Sequence, residues 1–382
     1  MNQIRFNAPT ATGREYDYLA QAHASGRLSG DGEFSTRAVE ELSRLTGQSR
    51  VLLTGSCSHA LDMAAMLLNL RLGDEVIMPS YTFASTANAF VLQGAVPVFV
   101  DIRPDTMNID ETLIESAISE HTKAIVVMHY GGVACAMDEI IKIAVQYGLA
   151  LVEDAAQAIN AHYNGQHLGT IGTFGTFSFH DTKNITSGGE GGALLVNDIQ
   201  YYERARIIRE KGTNRAQFFE GQVDKYTWVD IGSSFLMAEI NAAYLLPQLE
   251  DINRITAERV RAWQRYKNAL APLIRDGILE TAVIPKSAMH NGHLFYVKTR
   301  DSMTRGALIS WLKDRQITAP FHYIPLHTAP AGKRFGRFCG IDKCTSTDAA
   351  RIMRLPLFSG ISDNEIDKVI QEIYAFFSEC YA

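Results

Sequence analysis

Several things are scarce in this chain of 382 residues. Cysteine occurs only five times, at Cys57, Cys135, Cys339, Cys344 and Cys380. So sparse and odd a set excludes a disulfide framework and points to reduced thiols. Cys339 and Cys344 lie close together, but no second Cys/His pair with zinc spacing accompanies them. No apolar run approaches the roughly 18 residues of a membrane span. The stretch 1–6 lacks the basic and apolar regions of a secretion signal. The expectation is a cytoplasmic protein with no membrane partner. Excess positive charge is missing too, since a formal net charge of -6 gives no general reason to bind nucleic acid. Internal repeats, low-complexity tracts and long polar linkers are absent as well.

What is present is an ordinary globular composition, 46% hydrophobic and 20% charged, at a length that normally needs two domains. Between about 50 and 200, short apolar runs alternate with stretches of helical periodicity. Residues 74–78, 96–100, 124–128 and 149–152 read as buried strands, and 60–70 and 137–147 as helices. Such alternation predicts an α/β fold with a mostly parallel central sheet covered by helices. Ligands in these sheets sit beyond the carboxyl ends of strands, where Asp101, His129 and Asp154 fall. After about 245 the texture changes. Residues 248–270 read as a helix linking two domains, followed by a smaller α+β segment with strands at 294–298 and 318–322. The expected division is 1–247, an N-terminal arm and large domain, and 248–382, the linking helix and small C-terminal domain.

Two stretches carry chemistry. One runs Ser178-Phe179-His180-Asp181-Thr182-Lys183 into Gly188-Gly189-Glu190-Gly191-Gly192. In the other, an apolar segment empties into Glu153-Asp154-Ala155-Ala156-Gln157. Condensation with an aldehyde needs a primary amine, and lysine supplies one. Most lone lysines are merely solvated. Lys183, however, follows an apolar run and precedes a flexible segment with room for a bulky adduct. Asp154, just past a buried strand, suits a protonated ring nitrogen, although alone it reads equally well as a helix N-cap. Gln157, one turn on, could hydrogen-bond a ring oxygen. The run Gly55-Ser56-Cys57-Ser58-His59-Ala60 precedes a helix and offers small residues and free N–H groups to a phosphate. Ser58 and Ser178 would add hydroxyls, with His59 beside them; the plain alternative is a serine cap with no ligand. Phe83 could stack on a ring or simply fill the core. Together the set names pyridoxal 5'-phosphate (PLP) as cofactor. Competing motifs are weaker. The glycine run lacks a Walker ending and no Gly-x-Gly-x-x-Gly follows the first strand. His322 and His327 have the wrong spacing for a helical zinc pair.

At these residues the chain resembles the DegT-type sugar-nucleotide aminotransferases, which are fold-type I PLP-dependent transferases. The resemblance spans nearly the whole length. It includes Pro79-Ser80-Tyr81-Thr82-Phe83 and the late Arg354-Leu355-Pro356-Leu357 as well as the motifs above. It implies PLP on Lys183, a nucleotide-sugar substrate, L-glutamate as amino donor, and a homodimer with active sites at the interface. Substrate contacts are expected at Gly30 and Asp31, at Tyr323 and at His327. Many members carry an Asn and an Arg in the segment occupied here by residues 232–237. Ser234 and Leu236 stand in their places, leaving Ser234 as the contact to a neighbouring subunit's cofactor phosphate. Stretches 104–110, 211–215, 224–228 and 322–327 resemble the branch that aminates C4 of dTDP-4-dehydro-6-deoxy-D-glucose for enterobacterial common antigen. Sugar dehydratases on the same scaffold carry His where Lys183 stands. An aminotransferase for another keto sugar remains open, and a non-catalytic binding protein is the reading from another class.

Overall fold

The computed structural model describes residues 3–380. Its main sheet is built from runs of aliphatic and β-branched residues that need cover on both faces. The strands are β1 (Val51–Thr54), β2 (Glu75–Pro79), β3 (Val96–Val100), β4 (Thr122–Met128) and β5 (Ala150–Asp154). A short hairpin follows, β6 (His162–Tyr163) and β7 (Gln166–His167), then β8 (Phe174–Ser178) and β9 (Gly192–Val196). Later come β10 (Ala288–Met289), β11 (Phe295–Lys298), β12 (Arg337–Phe338) and β13 (Ile352–Leu355). The eight-stranded sheet has the order β1-β9-β8-β5-β4-β2-β3-β12. It is parallel from β8 to β12 and antiparallel where β9 meets β8 and β1.

Alternate residues of each strand feed different cores. On one face Leu52, Leu194 and Val196 meet Ala60, Met63 and Ala64 of the helix Cys57–Leu67. On the other, Leu53, Ala193 and Leu195 meet Ala242, Leu245 and Leu246 of the helix Glu239–Glu250. Truncating one of these, such as Leu245→Ala, costs about 2–5 kcal/mol on the usual scale for buried leucine. Gly192 is needed where β9 passes the start of the helix Cys57–Leu67, because a Cβ there would collide with the backbone of Ser56 and Cys57.

A further core gathers Trp263, Phe295, Leu312, Met353 and Phe376. Ile4 belongs to it, its N–H donating to Gln316 O at 2.8 Å and its carbonyl accepting from Thr318 N at 3.0 Å. The helix expected over 248–270 is two, Glu239–Glu250 and Ile252–Ala269, parted at Asp251. The strand expected at 318–322 does not form. Ile317 and Phe321 make only isolated bridges, and β11 pairs instead with β13, antiparallel. Pro320 interrupts the first candidate and cannot donate to a ladder. No helix among the described residues is long and apolar enough to cross a membrane.

Candidate active site

β5 ends on two adjacent carboxylates that alternation sends to opposite faces. Glu153 is fully buried and accepts N–H donors from Gly169, Ile171 and Gly172 at 2.6–2.8 Å, with His129 Nε2 at 3.1 Å. It is a structural anchor. Asp154 faces a cavity of about 1000 Å³. Its Oδ2 accepts from Thr86 Oγ1 at 2.6 Å and its Oδ1 from Ala156 N at 3.1 Å. Thr86 gives its only proton to Asp154, so Thr82 must donate to Thr86, at 2.8 Å. The helix Cys57–Leu67 points its first turn at the same cavity, capped by Ser56, whose Oγ accepts from His59 N at 3.1 Å. Ser58 Oγ lies 2.7 Å from Ser85 Oγ on that wall, and Ser178 ends β8 beside them.

Lys183 enters the cavity from the loop after β8. Among the described residues its amine makes no hydrogen bond or ion pair. Burial pushes its pKa below the ordinary 10.5; Cys57 and Asp154 pull it back, and the positive charge of Arg354 adds to the depression. Gln157 is fixed by accepting from Gly131 N at 2.7 Å and donates through Nε2 to Tyr323 Oη at 3.0 Å. Phe83 and Tyr323 line the wall with ring centroids 6.1 Å apart. Burial pushes the Tyr130 hydroxyl up to about 12 and Tyr323 higher still, so both stay protonated.

Of the residues singled out in the sequence, Ser58, Phe83, Asp154, Gln157, Ser178, Lys183 and Tyr323 therefore meet in one cavity. His59, His327, Asp31, Gly30, Ser234, Asp101 and His129 do not line it. His59 follows Ser58 on a helix, about 100° round, and its ring packs edge-on against Phe235. His327 is occupied at both nitrogens, by Ser80 Oγ at 2.6 Å and Asp342 at 3.1 Å. Asp31 pairs with Arg209 at 2.5 Å, and Gly30 lies against the backbone of Met237. Ser234 is exposed. Asp101 spends its carboxylate on the N–H groups of Lys343, Cys344 and Thr345, and His129 serves Glu153. Sequence reading missed Thr86 and His293; it weighed His322 only as half of a zinc pair and named Arg354 only within the motif that carries the resemblance. Asn184 donates to Asn291 O, so its Oδ1 accepts from His293 Nδ1 at 2.8 Å. Burial, reinforced by the nearby cations, holds both His293 and His322 well below the ordinary imidazole value, hence neutral.

The donor set fits PLP. A carboxylate with lone pairs to spare suits the ring nitrogen, hydroxyls and a helix start suit the phosphate, and an unpaired amine suits the aldehyde. Among the described residues no cluster of His, Cys, Asp or Glu is placed to hold a metal ion. Residues 9–374 match the model of the DegT/DnrJ/EryC1/StrS aminotransferase family. The GDP-perosamine synthase of Caulobacter vibrioides is 30% identical over 380 residues, covering 96% of each chain. Among solved structures, the aminotransferase TlmJ from Streptoalloteichus hindustanus has a TM-score of 0.91 at 27% identity, covering 99% of this chain and 100% of that one. The putative sugar aminotransferase Spr1654 from Streptococcus pneumoniae, in its PLP form, has a TM-score of 0.89 at 25% identity and covers 100% of both.

Proposed function

The chain belongs to the DegT/DnrJ/EryC1/StrS aminotransferase family and is a PLP-dependent sugar aminotransferase, and from this we propose its reaction. It moves the amino group of L-glutamate onto C4 of dTDP-4-dehydro-6-deoxy-D-glucose, giving 2-oxoglutarate and dTDP-4-amino-4,6-dideoxy-D-galactose for a bacterial surface polysaccharide. The observation that carries the transfer is the lowered, unpaired amine of Lys183 in the same cavity as Asp154.

When bound, the cofactor supplies an electron sink that weakens the C–H bond of the amine-bearing carbon. Asp154, braced by Thr86 and the Ala156 N–H, would keep a proton on the ring nitrogen. Ser58, Ser178 and the start of the helix Cys57–Leu67 would hold the phosphate, Gln157 would serve the ring oxygen, and Phe83 would flank the ring. Lys183 would hold the aldehyde, and its free amine would take the proton from the α-carbon of glutamate and, in the second half-reaction, deliver a proton to sugar C4. Tyr323 contacts the substrate directly, whereas His327 fixes the segment carrying Tyr323.

The protein acts in the cytoplasm as a homodimer. Exposed apolar residues, Phe219 at 70%, Trp228 at 76% and Ile231 at 52%, flank Ser234 and support a covering second copy. Through that contact Gly30, Asp31 and Ser234 reach the neighbouring site.

Lys183→Ala is expected to abolish amino-sugar formation together with the absorbance band that the cofactor gains on binding lysine; retained turnover rejects the assignment. The sugar is tested with dTDP-, UDP- and GDP-linked keto sugars and NMR of the product. The likeness to a GDP-perosamine synthase favours a GDP-keto sugar as the second reading.

A further inference from the structure

His293 lies just before β11 and lines the cavity together with Lys183 and Asp154. Its backbone is held on both sides. The N–H donates to Asn291 Oδ1 at 3.0 Å, and the carbonyl accepts from Nη2 of the fully buried Arg259 at 2.7 Å. Asn291 is anchored in turn, its Nδ2 donating to Gln157 O at 2.9 Å and Ile159 O at 2.8 Å. The ring itself is set by Asn184, the residue after Lys183. Asn184 Nδ2 donates to Asn291 O at 3.2 Å, an atom that can only accept, so the amide turns its oxygen to the imidazole. His293 Nδ1, 2.8 Å from that oxygen, therefore carries a proton. The residue is 9% exposed and among the described residues pairs with no carboxylate, a setting that disfavours a charged imidazole. With the proton on Nδ1, Nε2 is a bare lone pair, and among the described residues it has no hydrogen-bond partner. An acceptor withdrawn from bulk water costs stability unless a donor meets it.

We propose that His293 Nε2 accepts a hydrogen bond from the sugar hydroxyl on C3, next to the carbon that receives the amine. The inference rests on the transamination proposed above and names the residue that reads the sugar. His293 lies close enough to Lys183 for their charges to interact, so the group it meets belongs beside the reacting carbon. A bare nitrogen can only accept. Glutamate brings a carboxylate to that place, which offers no proton, and its amine is consumed in the transfer. The keto sugar brings different neighbours to C4. On one side C5 carries a methyl group, which donates nothing; on the other C3 carries a hydroxyl. That hydroxyl is the donor adjacent to the carbonyl. The same lone pair repels a carboxylate oxygen, so this wall favours the sugar over the amino acid.

The test measures the two half-reactions separately on the cofactor-loaded protein, using native enzyme, His293→Asn and His293→Gln. The shorter amide reaches the place of Nδ1 and can still donate to Asn184, but it leaves nothing at the place of Nε2. The longer amide puts an oxygen there and gives up the bond to Asn184. For His293→Asn, kcat/KM for the keto sugar should fall about tenfold, the scale of one neutral hydrogen bond, while the reaction with L-glutamate stays within about threefold of native. His293→Gln should recover most of the loss. Native enzyme should prefer the keto sugar to its 3-deoxy analogue by about tenfold, a preference that vanishes in His293→Asn and returns in His293→Gln. If neither variant folds, the preference of native enzyme for the 3-hydroxyl carries the test alone. Native indifference to the 3-deoxy analogue overturns the proposal. So does an equal loss in both half-reactions, which assigns the ring to placing Lys183 through Asn184, and so does a loss in His293→Gln as large as in His293→Asn. Failure of native enzyme to aminate any keto sugar would instead refute the transamination itself.

Discussion

Two lysines, 115 positions apart in a chain of 382, are withdrawn from bulk water in opposite ways. Lys298 on β11 is 1% exposed, and its amine meets Asp348 and Glu280 at 3.0 Å each and Pro104 O at 2.6 Å. Three donors have three acceptors, so that lysine is a strut. Lys183 is denied all of these, and burial lowers its pKa from the ordinary 10.5. The neighbours Glu153 and Asp154 repeat the contrast, the first saturated by backbone N–H groups and the second keeping lone pairs free. Reactivity here is a matter of partners withheld.

The strongest attack on that contrast is to remove the Asp154 carboxylate. Asp154→Ala should lower kcat about a thousandfold, on the scale of losing one preorganised electrostatic partner; a mild effect in steady-state assays would count against the contrast. Exchanging the lysines tests stability instead. Lys298→Met should destabilise by about 3 kcal/mol, because Asp348 is left buried and short of a partner. Lys183→Met, without cofactor, should raise the unfolding midpoint at neutral pH. The sign follows from linkage. The folded chain gives up the proton of this lysine at a lower pH than the unfolded chain, which holds it up to about 10.5. Native stability therefore climbs as pH rises towards 10.5, and the variant should lose that slope. The smallest effect concerns a side chain buried neutral. Burial brings His167 on β7 down to about 4, with the positive charge of His162 adding to it. Stability present above about pH 6.5 should be lost as pH falls towards 4, by up to ~3 kcal/mol. His167→Phe should flatten that limb in denaturant titrations at graded pH.

Strands whose burial is two-sided announce themselves, which is why 96–100 and the helix at 137–147 were legible to the residue. The cavity residues Asp154, Gln157, Ser178 and Lys183 were legible because they cluster at strand ends within thirty positions of one another. Arg354 and His293 reach the same cavity from the last third of the chain, and no local period reports that. The strand expected at 318–322 does not form, and β13 was not expected, because Arg354 interrupts its apolar run. His59 misled for a related reason. A motif reads as a unit, yet on a helix one residue's step decides which side chain faces the ligand.

The segment around Ile4 has a temporal consequence. Its hydrogen-bonding partners, Gln316 and Thr318, and the carbonyl contact between Phe6 and Leu357 lie far downstream. A ribosome adding about ten residues per second needs roughly half a minute to reach them. Seven of the eight strands of the main sheet, and Lys183, are made well before then, so the reactive amine exists while one wall of its chamber is still unwritten. A nascent chain halted before that point is expected to carry the amine without the enclosure that tunes it.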